Sequence, residues 1–384
     1  MIYLDNAATS FPKPEPVYQA VDHYQRQLGA PAGRGAYAAA VEATAIVARC
    51  RARLARLLNV QSPERVLLTF NGTDSLNIAL KGLLRENDHV VTSVLEHNSV
   101  LRPLRALRDS HGIEVTQVPA DGRGFVDPEA VRRAMRPGTR LVAMIHASNV
   151  TGAIQPVAEI GAIARERGAF FLVDAAQTLG HLPIDLSRLP IDLLAAPGHK
   201  GLLGPLGTGL LYVRPGVERF LATWREGGTG TSSEDDQQPQ VLPYKYESGN
   251  HNVLGLAGLH AALDWIEKQG LERLRDHQQS LVRHLLALLE GQPGITVAGP
   301  VDASPRVGVV SVMVNDLDPH DVAAILDSRA GMATRAGLHC APGAHRAIGS
   351  FERGGTVRLS AGPFNTQEQM AEAAAALVAL ARAS

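Results

Sequence analysis

The sequence predicts an α/β protein: a large domain built on a mostly parallel sheet, followed by a smaller α+β domain toward the C-terminus. Three observations predict it. Short apolar runs alternate with helix-spaced segments between residues 66 and 213, a strongly helical block follows residue 254, and 384 residues exceed what one hydrophobic core usually organises. The large domain is placed at residues 16–255, the small one at residues 1–15 and 256–384.

Taken in order, residues 41–58 are rich in Ala, Leu and Arg and read as a helix, with Cys50 as a small buried filler. Strands are expected at 66–70, 89–94, 115–118, 141–147, 170–174, 193–196 and 209–213. The segments between them, at 76–84, 100–109, 129–135 and 160–167, have helical spacing. In such a sheet ligands bind beyond the carboxyl ends of the strands. Residues 227–236 are too Gly-rich and charged for a regular element and read as a long loop. Helix then dominates 254–289, short strands are expected near 309–314 and 356–359, and the Ala-rich residues 367–381 form a last helix.

Composition narrows the partners. With 37 basic against 38 acidic residues the formal net charge is -1, so no overall field favours nucleic acid or an anionic membrane, and a small-molecule substrate is expected. The first residues show no basic region followed by an apolar run, and apolar stretches such as 141–145 are too short to span a bilayer; a cytoplasmic protein is expected. Two cysteines cannot form a disulfide framework, and in a reducing compartment both are free thiols. Cys50 lies in a helix, whereas Cys340 sits in residues 337–343, which read as an exposed loop and make it a candidate for chemistry.

The strand 170–174 ends in Asp174, a carboxylate where the fold places ligands. A buried charge there needs a cationic partner or several donors, although Asp174 alone also reads as a cap of the next helix. The following strand runs into Gly198-His199-Lys200-Gly201. A lysine at a strand end, between glycines that admit a close ligand, has the context of a Schiff-base nucleophile; alone it also reads as a surface lysine. Asn71-Gly72-Thr73-Asp74 joins a strand to a helix and offers free backbone N–H groups and a hydroxyl to a phosphate, as many strand-to-helix turns do. No Walker pattern occurs, and Gly204-Pro205-Leu206-Gly207-Thr208-Gly209 leads into a strand, so a nucleotide is not the obvious phosphate. Amine, carboxylate and phosphate cradle together are the recurring protein parts of a pyridoxal 5'-phosphate (PLP) site.

The motifs Asp5-Asn6-Ala7-Ala8-Thr9, Leu95-Glu96-His97-Asn98-Ser99, Ser148-Asn149-Val150-Thr151-Gly152, Asp174-Ala175-Ala176-Gln177, His199-Lys200 and Arg335-Ala336-Gly337-Leu338-His339-Cys340-Ala341 resemble those of class V aminotransferases. Within that class the chain is similar to the cysteine desulfurase and selenocysteine lyase group. The motifs run in order from Asp5 to Asn365. The resemblance implies the PLP-dependent transferase fold type I, with the catalytic Cys loop on the small domain. It implies that Lys200 holds the cofactor as a Schiff base, that Asp174 pairs with the pyridinium nitrogen, and that His97 stacks on the ring. Asn149 and Gln177 would hydrogen-bond near the phenolic oxygen, while Gly72, Thr73 and His199 would meet the phosphate. Arg358 would bind the substrate carboxylate as a fork, with Arg335 as a second cation and Asn149 beside them.

Three positions depart from the family pattern: Asn71-Gly72 stands where Gly-Thr is usual, Pro197 where many relatives have Ser, and Asn250 where a Thr reaches the phosphate of the partner subunit. Asn250 can still donate. The resemblance also implies a homodimer, PLP as cofactor, L-cysteine or an analogue as substrate, and a possible sulfur-acceptor protein. The expected reaction leaves the sulfur on Cys340 as a persulfide, with His339 and Arg335 favouring the thiolate and the glycines of residues 338–355 letting the loop swing. A selenocysteine lyase or another C–S lyase that does not need Cys340 is the alternative. Outside this class stand a metal-dependent hydrolase using His339, Cys340 and His345, and a non-catalytic sulfur-transfer partner.

Overall fold

A computed structural model describes residues 1–231 and 234–383. Ser232 and Ser233, in the stretch expected to be a loop, lie outside the described residues. The central sheet has seven strands in the spatial order Val66–Thr69, Gly209–Val213, Leu193–Pro197, Phe170–Asp174, Thr139–Ile145, His89–Ser93 and Glu114–Val118. Only Gly209–Val213 runs against its neighbours. Strands covered on both faces are rich in apolar residues, and His89–Ser93, Leu193–Pro197 and Gly209–Val213 are buried along their whole length. The edge strand Glu114–Val118 is mostly exposed and carries the polar residues an edge tolerates.

Two cores cover the sheet. On one face helices Ala38–Leu57, Val157–Glu166 and Val253–Gln269 pack through Ile46, Leu54, Ile160 and Leu259; on the other, Gly72–Leu83 and Asn98–His111 pack through Leu76, Leu80, Val100 and Leu104. Cys50 is fully buried in the first of these helices. The helix expected over 254–289 is two, Val253–Gln269 and Leu271–Leu289, because Gly270 adopts φ 83° between them, where a residue with a Cβ is disfavoured. Among the described residues no helix is long and apolar enough to cross a membrane.

A four-stranded antiparallel sheet holds Arg335–Gly337, Thr356–Ser360, Val309–Val314 and Ile295–Ala298, packed with Leu271–Leu289 and Gln367–Ala383. Two of these strands, Ile295–Ala298 and Arg335–Gly337, escape sequence reading because they are short and not wholly apolar. The chain start returns here: Ile2–Tyr3 pairs with Met332–Ala333, and Asp5 bridges to Ser360.

The two sheets meet at the turn 148–154. Ser311 Oγ donates to the Val150 carbonyl at 2.6 Å, Arg306 Nη2 to Thr151 at 2.8 Å, and the Val307 N–H to Gly152 at 3.0 Å. A Cβ on Gly152 would stand 2.7 Å from the Val309 carbonyl, so only glycine allows this approach. Arg306 is 1% exposed and pairs with no acid among the described residues; its donors end on carbonyls of Thr151, Ala298, Pro300 and Val309. Burial pulls its pKa down to about 10, still high enough for the cation to persist and hold the turn.

Candidate active site

All parallel strands of the large sheet end on one edge, and the residues just past those ends line a cleft. It is lined by Gly72, Thr73, His97, Asn149, Asp174, Gln177, His199 and Lys200, so eight residues from distant motifs meet in one cavity. Asp174 closes the strand Phe170–Asp174, is 3% exposed, and accepts the Ala176 N–H at 2.9 Å. Burial pushes its carboxyl above the usual range, while that N–H and Lys200 pull it back. Burial lowers the Lys200 ammonium to about 8, against the pull of Asp174 and with help from Arg358 and Arg335. The peptide before Lys200 is pinned from the chain start: the His199 carbonyl accepts from the Ser10 N–H at 3.0 Å, Thr9 Oγ1 at 3.2 Å and Lys13 Nζ at 3.1 Å.

The turn into helix Gly72–Leu83 is shaped by two of the departures noted above. Asn71 caps the helix by accepting the Asp74 N–H at 2.8 Å, and a Cβ on Gly72 would lie 3.2 Å from Pro197 Cδ. Pro197 and Gly72 therefore fit each other. Ser99, to which sequence reasoning gave no role although its motif was visible, links both sides: its Oγ lies 2.7 Å from Thr73 Oγ1 and 2.9 Å from His97 Nδ1. His97 Nδ1 also accepts the Ser99 N–H at 3.1 Å. Burial, reinforced by Lys200, Arg335, Arg102 and Arg358, lowers the imidazole to about 4, so His97 is neutral at physiological pH. Gln177 donates to the Ala7 carbonyl at 3.0 Å and Asn149 to the His339 carbonyl at 2.6 Å. Among the described residues, Asn149 Oδ1 and His199 Nδ1 are buried without a hydrogen-bond partner.

The small sheet adjoins the cleft at Asn149, whose carbonyl accepts from Arg358 Nη1 at 3.2 Å. Arg335 and Arg358 stand opposite each other in neighbouring strands. Arg335 Nη2 lies 3.5 Å from Cys340 Sγ. The Asn98 N–H donates to the Cys340 carbonyl at 2.8 Å, fixing that residue against the His97 turn.

Several expectations are corrected. Cys340 lies in a turn but is half-buried rather than exposed, and a short helix, Pro342–Ala347, with Ala344 and His345 buried, occupies part of the segment 338–355 expected to be loop. His339 supplies no positive charge to the thiol: burial, together with Arg358, His345 and Arg335, drives its pKa to about 2, and its Nε2 lies 3.0 Å from Thr356 Oγ1. Arg335 is the cation at the sulfur. Within one chain Asn250, expected at the phosphate of the partner subunit, is exposed and lines a pocket with Arg225 and Glu247 that does not include Lys200. Among the described residues no group of three or more His, Cys, Asp or Glu is arranged to hold a metal ion.

Glu96 was part of a recognised motif but received no role. It is fully buried; its Oε1 accepts from Ser93 Oγ at 2.6 Å and from the Ile145 N–H at 3.0 Å, tying two strand ends together, and Oε2 has no partner among the described residues. Burial raises its pKa to about 8, with Asp174 adding to the shift. The raised folded value makes this a stabilising proton below the unfolded value of 4.5 that is lost as pH climbs toward 8. A Glu96→Gln variant keeps the acceptor and cannot ionise. Its stability relative to the parent should therefore increase between pH 5 and pH 8 in urea unfolding; a constant difference would mean that Glu96 is ionised throughout.

A family model described as Aminotransferase class-V matches residues 2–372. A probable cysteine desulfurase of Methanothermobacter thermautotrophicus is 39% identical over 373 residues, 96% of this chain and 92% of the relative. Two solved structures are similar throughout. An apo cysteine desulfurase from Thermococcus onnurineus NA1 has a TM-score of 0.93 and 33% identity, covering 100% of this chain and 95% of the other. The Escherichia coli cysteine desulfurase in an S-sulfonic acid form has a TM-score of 0.88 and 28% identity, covering 99% and 94%.

Proposed function

We propose, for a chain that belongs to the aminotransferase class V family, that it is a PLP-dependent cysteine desulfurase, converting L-cysteine to L-alanine and keeping the sulfur on Cys340 as a persulfide. One observation carries this reading: the buried amine of Lys200 and the buried carboxylate of Asp174 share a cavity whose His97 turn is tied to Cys340. The cavity fits the cofactor. A carboxylate, an amine, a helix start and the unpaired His199 Nδ1 and Asn149 Oδ1 complement a molecule with a protonated ring nitrogen, an aldehyde and a phosphate.

Lys200 and Asp174 would hold its two reactive ends, and neutral His97 would cover the ring face. Asn149 and Gln177 would meet the phenolic oxygen; Gly72, Thr73 and His199 would meet the phosphate, with Asn250 reaching it from the other subunit of a homodimer. The large domain, residues 16–255, carries this shell, and the small domain, residues 1–15 and 256–384, carries the substrate side. When bound, the cofactor supplies an electrophile for the substrate amine and a sink for the electrons left at Cα.

The remaining work falls to the protein. Arg358 and Arg335 bind and orient the substrate carboxylate, with Asn149 beside Arg358. A Lys200 amine titrating near 8 is poised to take the Cα proton and return it to the product. Cys340, whose sulfur lies 3.5 Å from Arg335 Nη2, attacks the substrate sulfur. A new S–S bond forms as the Cβ–S bond breaks, the bonding electrons go to Cβ, and protonation there gives alanine. The persulfide then awaits a nucleophilic acceptor, such as a sulfur-acceptor protein.

The test is product analysis of the PLP-loaded protein given L-cysteine and L-selenocysteine separately. Stoichiometric alanine and a persulfide on Cys340 are expected from L-cysteine. Pyruvate as the main product, or turnover confined to selenocysteine, would refute the reading.

A further inference from the structure

Arg358 is engaged before any substrate carboxylate could reach it. Its side chain is only 1% exposed. Nη2 donates to Asp5 Oδ1 at 2.7 Å, Nη1 to the Asn149 carbonyl at 3.2 Å, and Nε is buried without a partner among the described residues. The Asp5 side chain is 22% exposed, so it forms the solvent-facing cover of the guanidinium. Asp5 stands there because its backbone bridges to Ser360, two residues beyond Arg358 in the same strand. Arg335, opposite Arg358 in register, has no carboxylate partner among the described residues. Of these two guanidiniums, the one assigned to the substrate is thus the one that already holds a carboxylate.

A substrate carboxylate carries the same charge and geometry as the Asp5 side chain. It reaches Arg358 only by displacing Asp5 or by sharing the guanidinium with it, and two carboxylates on one buried cation repel each other. Removing the Asp5 charge would leave Arg358 buried and uncompensated, a deficit that an incoming carboxylate would restore.

We propose that Asp5 is a specificity-determining residue, an internal carboxylate that competes with the substrate's own for Arg358 and so sets how tightly amino acids bind. The proposal rests on Arg358 being the carboxylate receptor. Competition of this kind acts on binding more than on the chemical step, so it appears in KM rather than kcat.

In the holoenzyme, Asp5→Asn should lower KM for L-cysteine by about ten-fold, a change larger than that in kcat, and should tighten binding of L-alanine by a similar factor. Tighter alanine binding gives a larger ligand-induced rise in Tm than in the parent protein. A role confined to bracing Arg358 predicts the reverse: KM unchanged or raised, and an alanine-induced rise no larger than the parent's, either of which overturns the proposal. Should Asp5→Asn fold poorly, Asp5→Ser removes the same charge and is read the same way. Arg358→Gln separates the two premises. If alanine binding survives in that variant, Arg358 is not the receptor; if it is lost while Asp5→Asn binds no tighter, only the competition is wrong.

Discussion

Replacing Lys200 by Ala should lower L-cysteine turnover by at least about a thousand-fold, because in the proposed mechanism one amine serves both as cofactor anchor and as base, and each role is typically worth roughly 10²–10⁴-fold. The fold should survive. Lys200 is a single side chain at a cavity edge, the strands beside it are held by their own apolar residues, and the amine makes no hydrogen bond that the structure needs. Removing a desolvated cation also removes a cost: the ammonium's pKa is depressed to about 8, so the folded protein resists protonation there that the unfolded chain accepts. The Lys200→Ala protein should therefore unfold at an equal or higher temperature than the cofactor-free parent near pH 7. Two measurements check it: alanine production, and borohydride reduction followed by peptide mass analysis, which should leave a cofactor-sized adduct on the Lys200 peptide of the parent alone. Turnover within ten-fold of the parent would remove Lys200 from the mechanism.

Cys340→Ser should abolish persulfide formation and reduce alanine production from L-cysteine by at least about a hundred-fold, since a hydroxyl at that position is neither ionised nor a good acceptor of sulfur. The neighbourhood predicts little collateral damage. Cys340 is held through its carbonyl by the Asn98 N–H, and its φ of 60° follows a His339 φ of 48°, so the bend is set by the backbone and by its ties to Asn98 and Asn149. Arg335→Gln should have a smaller effect in the same direction, because it leaves the thiol and withdraws the cation 3.5 Å from its sulfur, together with one of the two guanidiniums proposed for the substrate carboxylate. Undiminished cysteine turnover in Cys340→Ser would point to a lyase that releases sulfur without a protein acceptor.

The alternation of apolar runs and helical spacing located all seven strands of the large sheet; strands buried on both faces, such as Leu193–Pro197 and Gly209–Val213, are rich in apolar residues, and the exposed edge strand Glu114–Val118 is marked by its two valines and its place in the alternation. The small sheet was half legible. Val309–Val314 and Thr356–Ser360 are apolar enough to announce themselves, whereas Arg335–Gly337 is three residues long and is a strand only because Thr356–Ser360 lies beside it. The break at Gly270 was hidden because two helices in succession have the same periodicity as one.

For the site, sequence alone determined the chemical inventory: an amine, a carboxylate, two guanidiniums and a thiol, each in a motif whose order along the chain identified the family. Those are properties of residue type and local spacing, which a sequence carries in full. Tertiary structure decided which groups are charged and which are already engaged. His339 loses its proton because it is buried beneath two arginines, and Glu96 keeps one because it is sealed beside Asp174. Asp5 sits on Arg358 although 353 positions separate them. Desolvation and long-range pairing depend on what the fold packs around a group, and no local pattern encodes either.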